Sequence, residues 1–153
     1  MLVPTTDSHA GPPSPAVRET RAMTSAHLPS APLHERLGIT IEAMTADEVT
    51  GSMPVAGNTQ PFGALHGGAT AALAEGLASI AANLHAAAAD LIAVGLDLNI
   101  THHRSVRAGD VHGVATVIQR GRAIASYGIR ISDDAGRIVS TARLTCALVA
   151  PAP

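Results

Sequence analysis

Glu75 is the one charged residue in residues 67–84, a run otherwise made of alanine, leucine, glycine and small polar residues, and no Lys or Arg occurs between Arg36 and Arg104. One helical turn away stand Ala71, Ala72, Ala78 and Ser79, so no cation at salt-bridge spacing neutralises it. A carboxylate buried without a partner is costly, and a chain that keeps one commonly uses it as acid, base or nucleophile; we therefore expect Glu75 to be buried and chemically employed. Upstream lies Gln60-Pro61-Phe62-Gly63-Ala64-Leu65-His66-Gly67-Gly68, with two glycines at the start of the same helix. A helix N-terminus offers unpaired N–H groups and the positive end of the macrodipole, and glycine lets a ligand carbonyl reach the backbone, which is how an oxyanion hole can be built. A Gly-Gly pair also serves any tight loop, so the pair alone does not decide. Gly67 and Glu75 are separated by a helical rise of about 12 Å, so one ligand bridging both needs a partner chain or the loop.

The remaining chemistry-bearing residues are weaker signals. His66 reads as a residue that holds the loop by a hydrogen bond. The eight histidines raise the question of a metal, but His102 and His103 are adjacent on a strand and face opposite ways, while His66 and His85 are far apart on the helix, so no metal is expected. Gly67-Gly68 lacks the strand-turn-helix setting of a dinucleotide fingerprint, and neither a serine elbow nor a catalytic cysteine motif is present. Cys146 is the only cysteine, which rules out an intramolecular disulfide; its alternation with apolar neighbours predicts burial, and a reducing cytoplasm is the expected compartment.

At 153 residues, with 46% apolar and 14% charged content, the chain fits one domain with a real core. One Phe, one Tyr and no Trp leave that core to aliphatic residues and argue against single-stranded nucleic acid as a partner. The net charge of −2 supplies no general attraction for nucleic acid or an anionic membrane. All ten basic residues are arginine, however, and seven lie between Arg104 and Arg143. We read these either as a local site for an anion such as phosphate or as residues that keep a sheet soluble. No segment has the length and uniform apolarity of a signal peptide or membrane span.

Residues 1–30, rich in Pro, Ser, Thr and Ala, read as a disordered leader, most of which a start at Met23 would remove; the folded region is expected at 31–150. A short helix is predicted near residues 33–37, strands at 38–43 and 48–54, and a loop at 55–65. The helix of about five turns that follows is apolar nearly all round, as if surrounded by protein, and ends by Asp90. Ile92, Val94, Leu96, Leu98 and Ile100 then alternate with smaller or polar residues and predict a half-buried strand with those five inside. Strands at 110–120, 123–132 and 137–149 complete the count, with turns at Arg120-Gly121-Arg122 and Asp133-Asp134-Ala135-Gly136. Strands around one long helix, joined by short antiparallel connections, argue an α+β fold. A sheet with open edges also implies at least a dimer.

The run from Gln60 to Gly68, followed by Leu73-Ala74-Glu75 and Ser79, resembles the hotdog-fold acyl-CoA thioesterases that carry a catalytic glutamate on the central helix. Val94-Gly95-Leu96, His102 to Ser105 with Arg107, the Gly121-Arg122 turn and Gly136-Arg137 continue the likeness, which covers about residues 37–149 and is nearest to the 1,4-dihydroxy-2-naphthoyl-CoA and 4-hydroxybenzoyl-CoA thioesterases. The resemblance implies an antiparallel sheet of five to six strands around one helix, and hydrolysis of an acyl-CoA, with an aromatic acyl group, in menaquinone biosynthesis or aromatic degradation. It implies Glu75 as nucleophile or general base, Gly67 as oxyanion donor, Gln60 at the acyl carbonyl, His66 fixing the loop and assisting the leaving thiolate, and Ser79 orienting water or carboxylate. Gly95, His102, Arg104, Ser105, Gly121 and Arg122 fall near the CoA arm. It further implies a site assembled across a dimer, a tetramer as the full assembly, and no cofactor beyond the CoA of the substrate. His103, where an apolar residue is common, and the alanine-rich join at 84–91 depart from the pattern and bear on acyl preference. An enoyl-CoA hydratase of the same fold would place an Asp and His pair in a different motif; a non-catalytic acyl-CoA-binding protein would bind CoA without turnover.

Overall fold

The computed structural model describes residues 31–151; the leader and Met23 lie outside the described residues. The elements are α1 (Pro32–Leu37), β1 (Thr40–Met44), β2 (Glu48–Pro54), α2 (Gly67–Ala87), β3 (Ile92–His102), β4 (Asp110–Arg120), β5 (Ile124–Asp133) and β6 (Ile138–Val149). The strands form one sheet in the order β1-β2-β4-β5-β6-β3, antiparallel at every pairing, and α2 packs against it. This is the α+β architecture expected from the strand run. Among the described residues no helix is long and apolar enough to cross a membrane.

Small residues set the distance between helix and sheet. Ala74, Ala78, Ala81 and Ala82 of α2 are fully buried, and so are Leu73 and Leu77. Gly51 of β2 and Gly113 of β4 are paired across the sheet, and Leu77 enters the notch they leave. A Cβ on Gly113 would stand 2.5 Å from Leu77 Cδ1; one on Gly51 would stand 2.9 Å from Leu77 Cδ2 and 2.5 Å from the carbonyl oxygen of Thr40. The leucine can rotate away, whereas the backbone oxygen cannot, so Gly51 is the less replaceable of the two.

The expectation that α2 is enclosed all round is corrected. Glu75 and Asn83 are exposed in the single chain, and Ala72, Ser79 and Ile80 are half-buried on the same side. One sheet covers only one side of a helix, and α1 shields only part of the other.

The strand β3 is also corrected. Ile92, Val94 and Leu96 are 40%, 46% and 61% exposed, while Leu98 and Ile100 pack against the core. A bulge between Gly95 and Asp97 shifts the phase of the alternation, and β3 is an edge strand with β6 on one side only. Asn83 ties this edge to α2: its Oδ1 accepts the Ala93 N–H at 2.9 Å, and its Nδ2 donates to Ser79 O at 2.9 Å.

Tyr127 is fully buried, and its hydroxyl donates to Ala46 O at 2.9 Å, joining β5 to the turn between β1 and β2. Burial pushes this phenol up to about 12. Cys146 is fully buried as expected, and its thiol is raised, first by burial and second by the charge of Glu75.

Gly51→Ala is expected to destabilise the fold by about 1–3 kcal/mol through overpacking, read from urea denaturation, with Gly113→Ala costing less. Tyr127→Phe should cost about 1–2 kcal/mol at neutral pH, since Ala46 loses its donor. Because the folded phenol titrates above its ordinary range, its contribution is whole below about pH 10 and is lost as the pH rises toward about 12. Urea midpoints measured from pH 8 to 12 should therefore fall less steeply in Tyr127→Phe; the part due to Cys146 would persist.

Candidate functional site

The loop between β2 and α2 is held by hydrogen bonds that the sequence does not advertise. Asn58 Nδ2 donates to Leu37 O at 2.7 Å and to Pro54 O at 2.9 Å, while the Leu65 N–H donates to Val106 O and the His66 N–H to Asn58 O. Arg107 Nη1 donates to Phe62 O at 2.7 Å. Gln60 Oε1 accepts the Phe62 N–H, which leaves the Gln60 amide NH₂ as the part available to a ligand.

His66 is the N-cap of α2. Its Nδ1 accepts the Gly68 N–H at 2.8 Å, and its carbonyl accepts from Ala69 and Thr70. The Gly67 N–H alone in this turn has no acceptor among the described residues, so the positive end of the helix dipole is focused on one open donor. The His102 ring lies over Gly67, where a Cβ would stand 2.9 Å from its Nε2. Its Nδ1 is 3.0 Å from Ser140 Oγ and 3.4 Å from Thr70 Oγ1, and both of those residues are buried. His103 turns the other way, to Thr141 Oγ1 at 2.8 Å. Among the described residues no three of His, Cys, Asp or Glu are placed to hold a metal ion.

The expected site residues fall into three groups. Gln60, Gly67, His102, Arg104 and Ser105 line a cavity of about 410 Å³ at the N-terminus of α2, with His66 beside it. Glu75 and Ser79 line a second, of about 630 Å³, on the open side of α2 with Ala72, Gly76, Ile80 and Leu84. Glu75 Oε1 reaches over β3 and lies 3.3 Å from where a Cβ on Gly95 would be. Gly121 and Arg122 line a third cavity, of about 530 Å³, near the C-terminus of α2, where His85 Nε2 lies 3.1 Å from Gly121 O. A single chain therefore does not bring Glu75 and Gly67 into one cavity. Glu75 is also exposed in the single chain, against the expectation of burial, because the carboxylate lies on the face of α2 that the sheet leaves open.

The arginine-rich half resolves into two sets. Arg120 pairs with Asp47 at 3.0 Å, Arg137 with Asp133 at 2.7 Å and Arg143 with Asp97 at 3.1 Å, and Arg107 holds the loop. The side chains of Arg104, Arg122 and Arg130 have no hydrogen bond or ion pair among the described residues. Two of these three are the arginines expected at the CoA arm. Asn58, Asn83, Thr70 and Ser140 were not singled out from the sequence. Only Asn83, one turn beyond Ser79 on the stripe that starts at Glu75, carried a signal that could have found it.

A family model described as the thioesterase superfamily matches residues 62–140. The chain is 41% identical over 116 residues to the proofreading thioesterase EntH of Cronobacter sakazakii, covering 75% of this chain and 84% of that one. Among solved structures, a mutant thioesterase of Pseudomonas aeruginosa matches with a TM-score of 0.73 at 42% identity, covering 76% of this chain and 85% of the other. A thioesterase of Haemophilus influenzae matches at 0.71 and 38%, with 77% and 82% covered. With more than half of its length in the family match and the six-stranded hotdog sheet around α2, the chain belongs to the thioesterase superfamily and is a thioester hydrolase.

Proposed function

We propose that this protein hydrolyses an acyl-CoA, with an aromatic acyl group such as 1,4-dihydroxy-2-naphthoyl or 4-hydroxybenzoyl foremost, to the free acid and CoA. The observation that carries this is the pairing of two open groups on one helix: the Glu75 carboxylate facing a largely apolar cavity, and the Gly67 N–H with no acceptor among the described residues. The thioester oxygen sits at the Gly67 N–H, where one preorganised donor is worth about 3–4 kcal/mol in the transition state. Glu75 either takes a proton from the attacking water or attacks the carbonyl carbon itself. In both routes water supplies the acid's new oxygen, the C–S bond breaks and CoA leaves as the thiol. The Gln60 amide donates to the acyl carbonyl region, Ser79 orients water or the carboxylate, and His66 holds the oxyanion turn and stands near the leaving sulfur. Arg104 and Arg122, with Gly95, His102, Ser105 and Gly121, receive the CoA arm, and the reaction needs no cofactor beyond that CoA.

Two copies complete the site in this proposal. β3 presents an edge of 11 residues that is unpaired among the described residues, with Ile92, Val94 and Leu96 exposed, and Phe62, the only phenylalanine, is 81% exposed in the site loop. Antiparallel pairing of β3 with a second β3 covers that edge and sets the Gly67 end of one chain against the Glu75 face of the other. A carboxylate exposed in the single chain then becomes a group enclosed in a dimer.

Thiol release from naphthoyl-, benzoyl-, phenylacetyl- and medium-chain acyl-CoA tests the chemistry. Glu75→Gln is expected to lower kcat on the preferred ester by about 10²–10⁴-fold, and unchanged turnover would refute the assignment. Leu96→Asp is expected to convert the dimer to a monomer by light scattering, with activity falling at least about tenfold. A fully active monomer would show that one chain suffices.

A further inference from the structure

The cavity that holds Glu75 contains a second titratable side chain to which the proposed reaction gives no task. His34, on α1, lines it together with Leu33, Gly76 and Ile80. The imidazole packs directly on Gly76, where a Cβ would overlap its Nε2 and would stand 2.8 Å from its Cε1. The residue after Glu75 must be this small for the ring to sit there. His34 is half-buried, and neither of its ring nitrogens has a hydrogen-bond partner among the described residues.

The rest of the lining narrows what His34 can do. Ala72, Ile80, Leu84 and Leu33 are apolar. The Asn83 amide is engaged with Ser79 O and the Ala93 N–H. Glu75 leans toward Gly95 on β3, and Ser79 stands one turn from it on the same helix. His34 is thus the open hydrogen-bonding group on the α1 wall, facing a largely apolar chamber whose other polar side chains, Glu75, Ser79 and Asn83, all come from α2. A neutral imidazole offers one donor and one acceptor, which suits a hydroxyl in either sense. An apolar pocket discriminates weakly for or against an added hydroxyl, whereas a pocket with a fixed partner penalises the substrate that lacks it.

We propose that His34 is a specificity-determining residue, selecting acyl groups that carry a hydroxyl over the same groups without one. The inference deepens the proposed function and rests on this cavity being the acyl pocket. Its test compares kcat/KM for benzoyl-CoA with that for 2-, 3- and 4-hydroxybenzoyl-CoA in wild type, His34→Leu, His34→Gln and Gly76→Ala. In wild type at least one hydroxylated ester is favoured. His34→Leu is expected to lower that preference at least about tenfold. Gly76→Ala lowers it in the same direction by displacing the ring, and His34→Gln, which keeps a donor and an acceptor, retains most of it. An equal loss on all four esters would make His34 a general support of Glu75 or of the fold, and unchanged ratios would make it a bystander. Either result overturns the inference while thioester hydrolysis stands. A wild type that turns over none of the CoA esters while hydrolysing other thioesters removes the proposed acyl-CoA substrate and the inference with it.

Discussion

Close approach between α2 and the sheet is the constraint on which the rest of the molecule depends. The buried side of the helix is mostly alanine, with Leu73 and Leu77 as its large side chains, and Leu77 fits only because Gly51 and Gly113 are paired beneath it. With so shallow an interface there is little room for aromatic rings. Tyr127 is the one ring in the core, and its hydroxyl is satisfied by Ala46. The scarcity of aromatics, which on composition alone pointed to an aliphatic core and argued against single-stranded nucleic acid, is thus a packing requirement of this helix and sheet.

A helix held this tightly on one side presents fixed chemistry on the other. The first turn carries the open Gly67 N–H, and the uncovered stripe carries Glu75, Ser79 and Asn83. These two places are separated by a rise of about 12 Å along one rigid rod, so no side-chain adjustment within a chain merges them. In the proposed dimer the edge strand closes this gap. The bulge in β3 turns Leu96 outward, and Asn83 clamps Ala93 of that same strand to α2, so whatever pairs with β3 is positioned relative to the helix face that carries Glu75.

Much of the fold was legible because the local signals agreed with the global arrangement. The bounds of β2 and β4 match those read from alternation, and the hairpin between β5 and β6 was marked by Asp133 to Gly136, where Asp133 Oδ1 accepts from Ala135 and Arg137 and Gly136 takes a positive φ of 74°. The misreadings arose where a tertiary event overrides a local pattern. Alternation from Ile92 to Ile100 runs unbroken in the sequence, and one extra residue at the bulge reverses which of its members face the core. The burial of Glu75 was inferred from apolar neighbours along the helix, but burial depends on what lies across from a residue, and the β3 position that Glu75 leans over is Gly95, which has no side chain to cover it. The arginines show the same limit. Nothing in their spacing separates Arg120, Arg137 and Arg143, which pair with aspartates, from Arg104 and Arg122, which pair with none among the described residues.

Glycine was the most visible and least interpretable signal at the site, and the structure shows why. Gly67 lies under His102, Gly76 under His34 and Gly95 under the Glu75 carboxylate. In each case the absent side chain is the space another residue's functional group occupies, so the identity of one position is explained only by a residue far away in sequence. A tight turn and a seat for another residue's side chain call for the same amino acid, and only the fold tells them apart. The Gly95 seat has an electrostatic consequence as well. Gly95 pairs with Cys146, and the Glu75 charge is felt at that buried thiol, second only to burial itself. The carboxylate and the thiol therefore lie on the same face of the sheet, over paired positions of neighbouring strands, and the glycine seat is what lets a charge from an exposed helix position come this close to the edge of the core.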